Sequence, residues 1–530
     1  MNKNQLYELT RSSSFLWKSS AILILMIALL GTVIWKLKPV ESKSVTHADL
    51  FLTAEDGGSQ IAINTARFEE KLKNQLLRSR SFEEKLYALQ YLLSIGGRRN
   101  QSILPPADQL SNVSEEGYEI LVAFSHAIGG RSADAAEPLF ELVRSTPPPP
   151  YANFALSLFY TTYSKNGLAI EAAKAEVKNH SNTASRTLLV DFYRRHNLLD
   201  PLKELQSDPK YAPLIDSFLR RDIALLTMDW PVLISTLLPI AYGDTQPSML
   251  ILALVAGVAW ATLLLRFFGP LSWSSGAVRL AIPALLLGAL SAHLTILAIY
   301  FQEEQLGLVR GDDLIGQAIY CFAGIGLREE VLKLFCFVPL IPFLAKRKNE
   351  MEILVVASLV GLGFAIEENI SYFENSLGMD AFGRFVTANF FHLSLTGICG
   401  LTLTQAFIYR GSYINSAVST FGLAVIAHGA YDAFIIIPEL SEYSIATMII
   451  FILASYQFFS WVRHLRSSWR EPVSLSAHFT LGLIVVFGTS YLLLAWEVGP
   501  LSSLTMLTEE VLSLAILLVM FYREIPEEIH

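Results

Sequence analysis

Charge is scarce in this chain. Of its 530 residues only 17% are Asp, Glu, Lys or Arg, and the formal net charge is −8. No stretch forms a long basic stripe, which argues against nucleic acid as a partner. Cysteine is scarcer still, with Cys321, Cys336 and Cys399 the full set. All three fall inside apolar runs, so the polar part of the chain has no disulfide framework, and their spacing fits no zinc-ribbon pattern. They read as core residues. Apolar side chains are what the sequence has in excess: 52% of residues are hydrophobic and the mean hydropathy is +0.42. These values exclude a disordered chain. The apolar residues gather into runs of about 20, the length that crosses a bilayer as helix, and predict a polytopic membrane protein.

The first run, Ala21 to Trp35, follows Lys3, Arg11 and Lys18. A cleaved signal peptide would continue into a small-x-small site, whereas Lys36-Leu-Lys-Pro39 follows here, so the run reads as an uncleaved signal anchor. From Glu41 to Gly243 the chain is polar and helical in pattern. Ser81-Phe-Glu-Glu84 has the form of a capping box, Leu86, Leu89 and Leu93 continue on one stripe, and Gly96-Gly97 is the expected stop. Gly130–Ala136 and Gly167–Ala173 align at an offset of 37 residues. That is near the period of about 34 of tetratricopeptide repeats, and a generic helical bundle accounts for the pattern equally well. Pro147 to Pro150 reads as a stiff linker between helix pairs. Pro231 to Tyr242 is too short to span and is expected at the interface.

Beyond it, spans are expected near 247–267, 280–301, 315–344, 353–373, 385–408, 414–437, 443–462, 476–496 and 503–522, about ten with the anchor. The predicted fold is therefore an all-α polytopic membrane protein with an extracytoplasmic helical domain, tetratricopeptide-like or a plain bundle. Its expected divisions are a cytoplasmic N-terminus and anchor (1–38), the extracytoplasmic domain (39–246), a membrane core (247–462), and C-terminal membrane helices with a cytoplasmic tail (463–530). The short loops set the orientation. Lys346-Arg-Lys348, Arg410, and Arg463, Arg466 and Arg470 occupy alternate loops, with Arg266 and Arg279 on the same side. Glu303, Glu304, Asp312, Asp313, Glu374, Asp380, Glu439, Glu442 and Glu497 lie in the loops between. By the positive-inside bias both termini are expected in the cytoplasm, and the pattern suits a bacterial plasma membrane.

Ionisable groups inside spans cost about 2.5–3.5 kcal/mol each on insertion scales, so those that occur are informative. The 315–344 run holds Arg328, Glu329, Glu330 and Lys333 together. Facing lipid, the set would cost on the order of 10 kcal/mol; it needs partners or a water-filled cavity. Glu329 and Lys333, four apart, can pair on one face. Gly326, Glu330 and Lys333 share a neighbouring face, where the glycine allows a close helix approach. In the next span Gly361, Ala365 and Glu368 form a small-residue face ending in a carboxylate, with Asn369 beside it. The span after that puts Asn389, His392, Thr396 and Gly400 on one stripe, and His428 and Asp432 follow at i, i+4. A lone membrane histidine is ordinarily a hydrogen-bonded core residue, and a lone charge cluster a structural ion pair. Consecutive spans that each carry an ionisable face favour one pocket instead, and helical rise puts these groups in the outer half of the membrane.

Such a pocket suits water activation. A buried carboxylate can take a proton from water, a second carboxylate or an imidazole can return it to a leaving amine, and a histidine can stabilise an oxyanion. The same ligands can instead hold a divalent metal such as zinc. Two other classes use the same residues: a proton-coupled transporter with a relay, and a non-catalytic receptor or scaffold. A relay needs a path to both faces and inverted repeats would favour it, but little polar density lies below the cluster and no such repeat is evident.

Glu329-Glu330-Val-Leu-Lys333 resembles the EExxK motif of the PrsW family of intramembrane proteases, and Phe364-Ala-Ile-Glu-Glu368-Asn369 resembles its FAxxEN element. His392, and His428 with Asp432 as HxxxD, follow as the third and fourth motifs in order, over about 275 to 440. The resemblance implies a membrane endopeptidase that cuts membrane-anchored proteins on their outer side, anti-sigma factors among them. The family is distantly related to the CAAX prenyl protease and bacteriocin-immunity superfamily. Those relatives carry EExxxR, and Leu334 stands at the arginine position here, so the PrsW branch fits better. No HExxH and no Gly-x-Ser-Gly occurs in a span, which argues against zincin and rhomboid chemistries. Glu330 and Glu368 are then expected to activate water and transfer protons, with Glu329 and Lys333 holding that pair. Asn369 is expected to orient Glu368 or bind a peptide carbonyl. His392 and His428 would polarise the scissile amide or bind metal, and Asp432 would fix the tautomer of His428. Glu509-Glu510, in the last run, has no lysine partner and reads as an outer interfacial feature. The expected partners are the bilayer, a membrane-anchored protein substrate, and a protein bound to the extracytoplasmic domain.

Overall fold

The structure is a computed structural model, described here for residues 3–37, 72–95, 104–130, 133–243, 245–443, 445–466 and 473–525. The Gly96-Gly97 stop and Arg470 lie outside the described residues. Every regular element among the described residues is helical. In a bilayer this follows from the backbone, whose N–H and C=O groups find no water and are satisfied within each helix. The chain divides into two compact units, residues 40–232 and residues 1–39 with 233–530.

The 40–232 unit is an array of short helices: α3 (Phe82–Ile95), α4 (Glu115–Gly129), α5 (Glu137–Arg144), α6 (Ala152–Thr162), α7 (Asn166–Asn179), α8 (Thr183–Arg195), α9 (Leu199–Gln206) and α10 (Ser217–Leu225). Most of these pack on their neighbours in sequence, around a core of leucine, alanine and aromatic side chains. The Ser81 hydroxyl accepts the Glu84 N–H at 3.2 Å and starts α3 as the capping box predicts. The Glu84 carboxylate accepts from the Ser79 hydroxyl instead of reaching back to Ser81. The two aligned stretches do not repeat one structure. Ala133–Ala136 is a 3-10 turn ahead of α5, while Gly167–Ala173 lies inside α7. Pro138 accounts for the difference, because a residue without an N–H belongs in the first turn of a helix, and Ala175 stands at the matching place in α7. α6 and α7 are joined by Glu176, whose carboxylate accepts the backbone N–H groups of Tyr151 and Phe154 at 2.8 and 3.2 Å.

The second unit contains α1 (Lys3–Arg11), α2 (Ser13–Leu37) and the helices from α11 (Trp230–Tyr242) onward. These are α12 (Pro247–Phe268), α13 (Gly276–Glu304), α14 (Leu314–Ile319), α15 (Arg328–Phe337), α16 (Ile341–Arg347), α17 (Glu350–Asn375), α18 (Ala381–Val386), α19 (Ala388–Ile408), α20 (Ile414–Ile436), α21 (Pro438–Ser441), α22 (Ile445–Leu465), α23 (Leu475–Val498), α24 (Pro500–Ser513) and α25 (Ala515–Glu524). Among the described residues, eight stretches are long and apolar enough to cross a membrane: α2, α12, α13, α17, α18 with α19, α20, α22 and α23. This is a multi-pass membrane protein.

Two of the expected spans are broken. The 315–344 run is α14, a π-helical segment Tyr320–Leu327, α15, a 3-10 turn Val338–Leu340 and α16. Pro339 and Pro342 each remove a backbone donor and open the first turn of a new segment. The last run bends by 57° between α24 and α25. Its halves serve different neighbours: Glu510 Oε1 accepts the Gly383 N–H of α18 at 2.8 Å, while Glu524 pairs with Arg463 of α22 at 2.8 Å. Glu510 is thus an interhelical acceptor in addition to any interfacial role.

α17 is the axis of this unit and packs on α12, α13, α15 and α19. Its approach to α19 depends on Gly361, where an added Cβ would lie 2.4 Å from the His392 carbonyl oxygen. Around α12 the fully buried Trp260 donates its indole N–H to the Phe385 carbonyl at 2.7 Å and packs against Phe385, Phe390, Phe479 and Phe521.

Candidate functional site

The ionisable faces meet where α15, α17, α19 and α20 converge. Glu330 and Lys333 on α15 are fully buried, and Glu329, His392 and His428 are nearly so. Lys333 Nζ donates to Glu330 Oε1 and to His392 Nδ1, each at 2.8 Å, and stands 4.2 Å from the centre of the Phe364 ring. The expected i, i+4 partner Glu329 is farther away, its Oε2 at 3.6 Å. The i, i+3 partner takes the shorter contact.

Proton positions follow from which groups can donate. A lysine ammonium has no acceptor, so His392 Nδ1 receives its hydrogen bond. The proton of a neutral His392 ring then sits on Nε2, which faces Glu368 Oε2 at 3.2 Å. His428 is arranged oppositely. Its Nδ1 is 2.8 Å from Glu330 Oε1, an acceptor, so Nδ1 carries the proton. His428 Nε2 turns toward two carboxylates, Asp432 Oδ2 at 3.4 Å and Glu329 Oε2 at 3.6 Å. The close approach of α20 to the π-helical segment makes this possible: a Cβ on Gly326 would lie 2.8 Å from the Val425 carbonyl oxygen.

The residues given roles from the sequence, Glu329, Glu330, Lys333, Glu368, Asn369, His392, His428 and Asp432, belong to this one cluster, whereas Arg328 of the same run donates to Gln302 Oε1 at 2.9 Å instead. Two further members are Arg384, which the sequence reading missed, and Asn389, which it placed on the His392 stripe without a role. Arg384 of α18 donates to Glu368 Oε2 at 2.6 Å and to Asn369 Oδ1, and its guanidinium lies 3.6 Å over the Tyr372 ring. Asn389 accepts from Asn369 Nδ2 at 2.6 Å and lies three residues before His392 on the inward stripe. The signal for Arg384 is its position. It is a single arginine at the end of a span on the acidic side of the loop alternation, against the positive-inside pattern.

A structural ion-pair network is satisfied when all its members find partners, since a buried polar atom left alone costs free energy. This one is not saturated. Glu329 Oε2, Glu330 Oε2, Asn389 Nδ2 and Thr396 Oγ1 are buried without a hydrogen-bond partner. Donor chemistry also fits a divalent cation, because Glu329, His392 and His428 each offer a ligand atom within 4.8 Å of the others. His428 already has the form of a metal-ready imidazole, with one nitrogen on a carboxylate and the other free toward Glu329 and Asp432. His392 has that form only when Lys333 withdraws from Nδ1.

Buried carboxylates, imidazoles and unspent hydrogen-bonding capacity inside a multi-pass helical unit are the equipment of an intramembrane hydrolase. Residues 276–456 match the family model of the PrsW family intramembrane metalloproteases. The match supports intramembrane proteolysis and contains every residue of the cluster. No curated protein and no solved structure matches the chain.

Proposed function

We propose that the protein is an intramembrane endopeptidase that hydrolyses peptide bonds of membrane-anchored proteins near the outer face of a bacterial plasma membrane, in regulatory proteolysis of the anti-sigma-factor kind. The observation that carries the reading is the Glu368–His392 contact beside a Glu329 carboxylate oxygen that has no hydrogen bond. The Glu368 side chain is 27% exposed, against 0% for Glu330, so it is the carboxylate that water reaches. Glu368 takes the proton of the attacking water, and Arg384 and His392 hold its carboxylate in place. Glu330 works from behind by orienting Lys333 and His428. Protonated on both nitrogens, His428 donates from Nε2 to the scissile carbonyl together with Asn369, Asp432 steadies that imidazolium, and Glu368 returns its proton to the leaving amine with Glu329 as the second carboxylate beside it. With Lys333 withdrawn from His392, the residues Glu329, His392 and His428 would instead hold a divalent cation such as zinc, which would supply Lewis acidity toward carbonyl and water in place of the imidazoles.

The charge alternation of the loops favours cytoplasmic termini and an extracytoplasmic 40–232 unit, with α14–α16 and α24–α25 running as broken spans to make about ten. That unit then recruits a substrate or a protein signal.

The deciding experiment compares membrane proteins in cells carrying wild type or Glu368→Gln, by quantitative proteomics of intact and truncated forms. Single-span proteins are expected to accumulate uncut in the variant. Unchanged proteolysis at equal protein levels would remove the hydrolytic role and bring the relay and scaffold alternatives forward.

A further inference from the structure

Next to Glu368 lies a second, half-buried cluster that takes no part in the proposed chemistry. Glu367 Oε1 accepts a hydrogen bond from the Tyr242 hydroxyl at 2.6 Å and lies 3.3 Å from His293 Nε2. His293 and Glu367 side chains are each 13% exposed. The partners come from three helices, α11, α13 and α17, and Tyr242 lies outside the segment that matches the family. Seven residues along α17, Glu374 Oε1 accepts the backbone N–H of Gln246, the residue just before α12, at 3.1 Å. Residues seven apart share a helix face, so one stripe of α17 is gripped at two points about 10 Å apart.

We infer that Tyr242 and His293 are positioning residues that fix the rotation of α17 through Glu367, and so aim the neighbouring Glu368 at His392; the inference rests on the proteolytic reading above. Apolar and glycine contacts along a helix resist separation from its neighbours more than rotation about its own axis. A carboxylate about 6 Å from that axis moves about 2 Å when the helix turns by about 20°. The Glu368–His392 contact, at 3.2 Å, does not survive such a shift. Misplacement of a reacting group by about 1 Å is enough to cost on the order of 10²-fold in rate. Tyr242 closes α11, the helix within which the division between the two units falls. The grip therefore joins the helix leaving the 40–232 unit in sequence to the helix that carries the proposed base.

The test uses the full chain co-reconstituted in phosphatidylethanolamine–phosphatidylglycerol vesicles with the single-span substrate identified by the Glu368→Gln comparison. Tyr242→Phe, which removes one hydroxyl, is expected to lower kcat by about 10-fold and leave KM within about 2-fold. Glu367→Leu, which also removes the His293 contact, is expected to lose at least as much, and the double variant no more than Glu367→Leu alone, because without Glu367 the tyrosine has no link left to lose. His293→Gln reads the same contact should the tyrosine variant accumulate poorly. Wild-type kcat in Tyr242→Phe, a loss confined to KM, or losses that multiply in the double variant would each overturn the positioning role. If the wild type shows no Glu368-dependent cleavage, the proteolytic reading falls and takes this role with it. Glu368-dependent cleavage indifferent to Tyr242 removes the positioning role alone.

Discussion

Lys333 Nζ has two acceptors, Glu330 Oε1 and His392 Nδ1, each at 2.8 Å, and the second decides where His392 keeps its proton. While the ammonium occupies Nδ1, the lone pair a cation needs is not on the nitrogen facing Glu368. Lys333→Met removes that donor, frees His392 for ligation, and leaves Glu330 with His428 as its remaining partner. Taking one partner from a buried ion pair costs about 3–5 kcal/mol. Zinc bound by Glu329, His392 and His428 would offset part of that cost. Equilibrium dialysis is expected to find zinc bound about 10-fold more tightly by Lys333→Met than by wild type, and zinc should raise the melting temperature of the variant more. Equal affinities would mean that Lys333 does not control the ring. Cleavage is expected to be lost in the variant with or without zinc, since Lys333 also holds Glu330.

The contact between α17 and α19 is set by glycine, and its consequences can be separated from general helix stability. A Cβ at Gly361 would meet the His392 carbonyl oxygen at 2.4 Å and Thr396 Oγ1 at 2.8 Å, whereas one at Gly422 in α20 meets nothing within 4 Å. Gly361→Ala is expected to destabilise by about 1–3 kcal/mol through overpacking and to lower cleavage by spreading Glu368 from His392. Gly422→Ala is expected to stabilise by about 0.5–1 kcal/mol through helix propensity. Thermal unfolding of both variants in one detergent reads the two signs; the same sign for both would show that Gly361 is not a contact point. Glycine faces of this kind are legible in sequence, as are Glu330, Lys333, Glu368, His392 and His428. In an apolar span a charged residue has only the interior to face, and the 3.6-residue period says which neighbours share its side. The breaks in α14–α16 are less legible, because a π-helical turn such as Tyr320–Leu327 is as apolar as the helix it interrupts. Arg384 looks like a loop residue until α18 folds over Glu368. The Tyr242–Glu367 bond joins residues 125 apart, with no pattern in either segment to announce it.

Every residue of the cluster lies in the unit formed by residues 1–39 and 233–530, and the other unit has a core of its own. If the 40–232 unit recruits substrate, as proposed above, one unit holds the chemistry and the other acts on which protein reaches it. Binding energy from such a recruiting surface is felt equally by substrate and transition state. It lowers KM and leaves kcat alone. Replacing residues 42–228 with a Gly/Ser linker of about 40 residues, which reaches about 35 Å on average, keeps α2 and α11 joined without the helical array. On a short single-span peptide cut from the natural substrate, kcat is expected to stay within about 3-fold of wild type. On the full-length substrate KM is expected to rise about 10-fold, as an extra docking contact worth about 1.4 kcal/mol is lost. Tyr242 and His293 remain in the shortened protein, so their grip on Glu367 is preserved and a fall in kcat cannot be assigned to it. Such a fall on the short peptide would place part of the catalytic arrangement under control of the 40–232 unit, and a signal received there would act on rate instead of on capture.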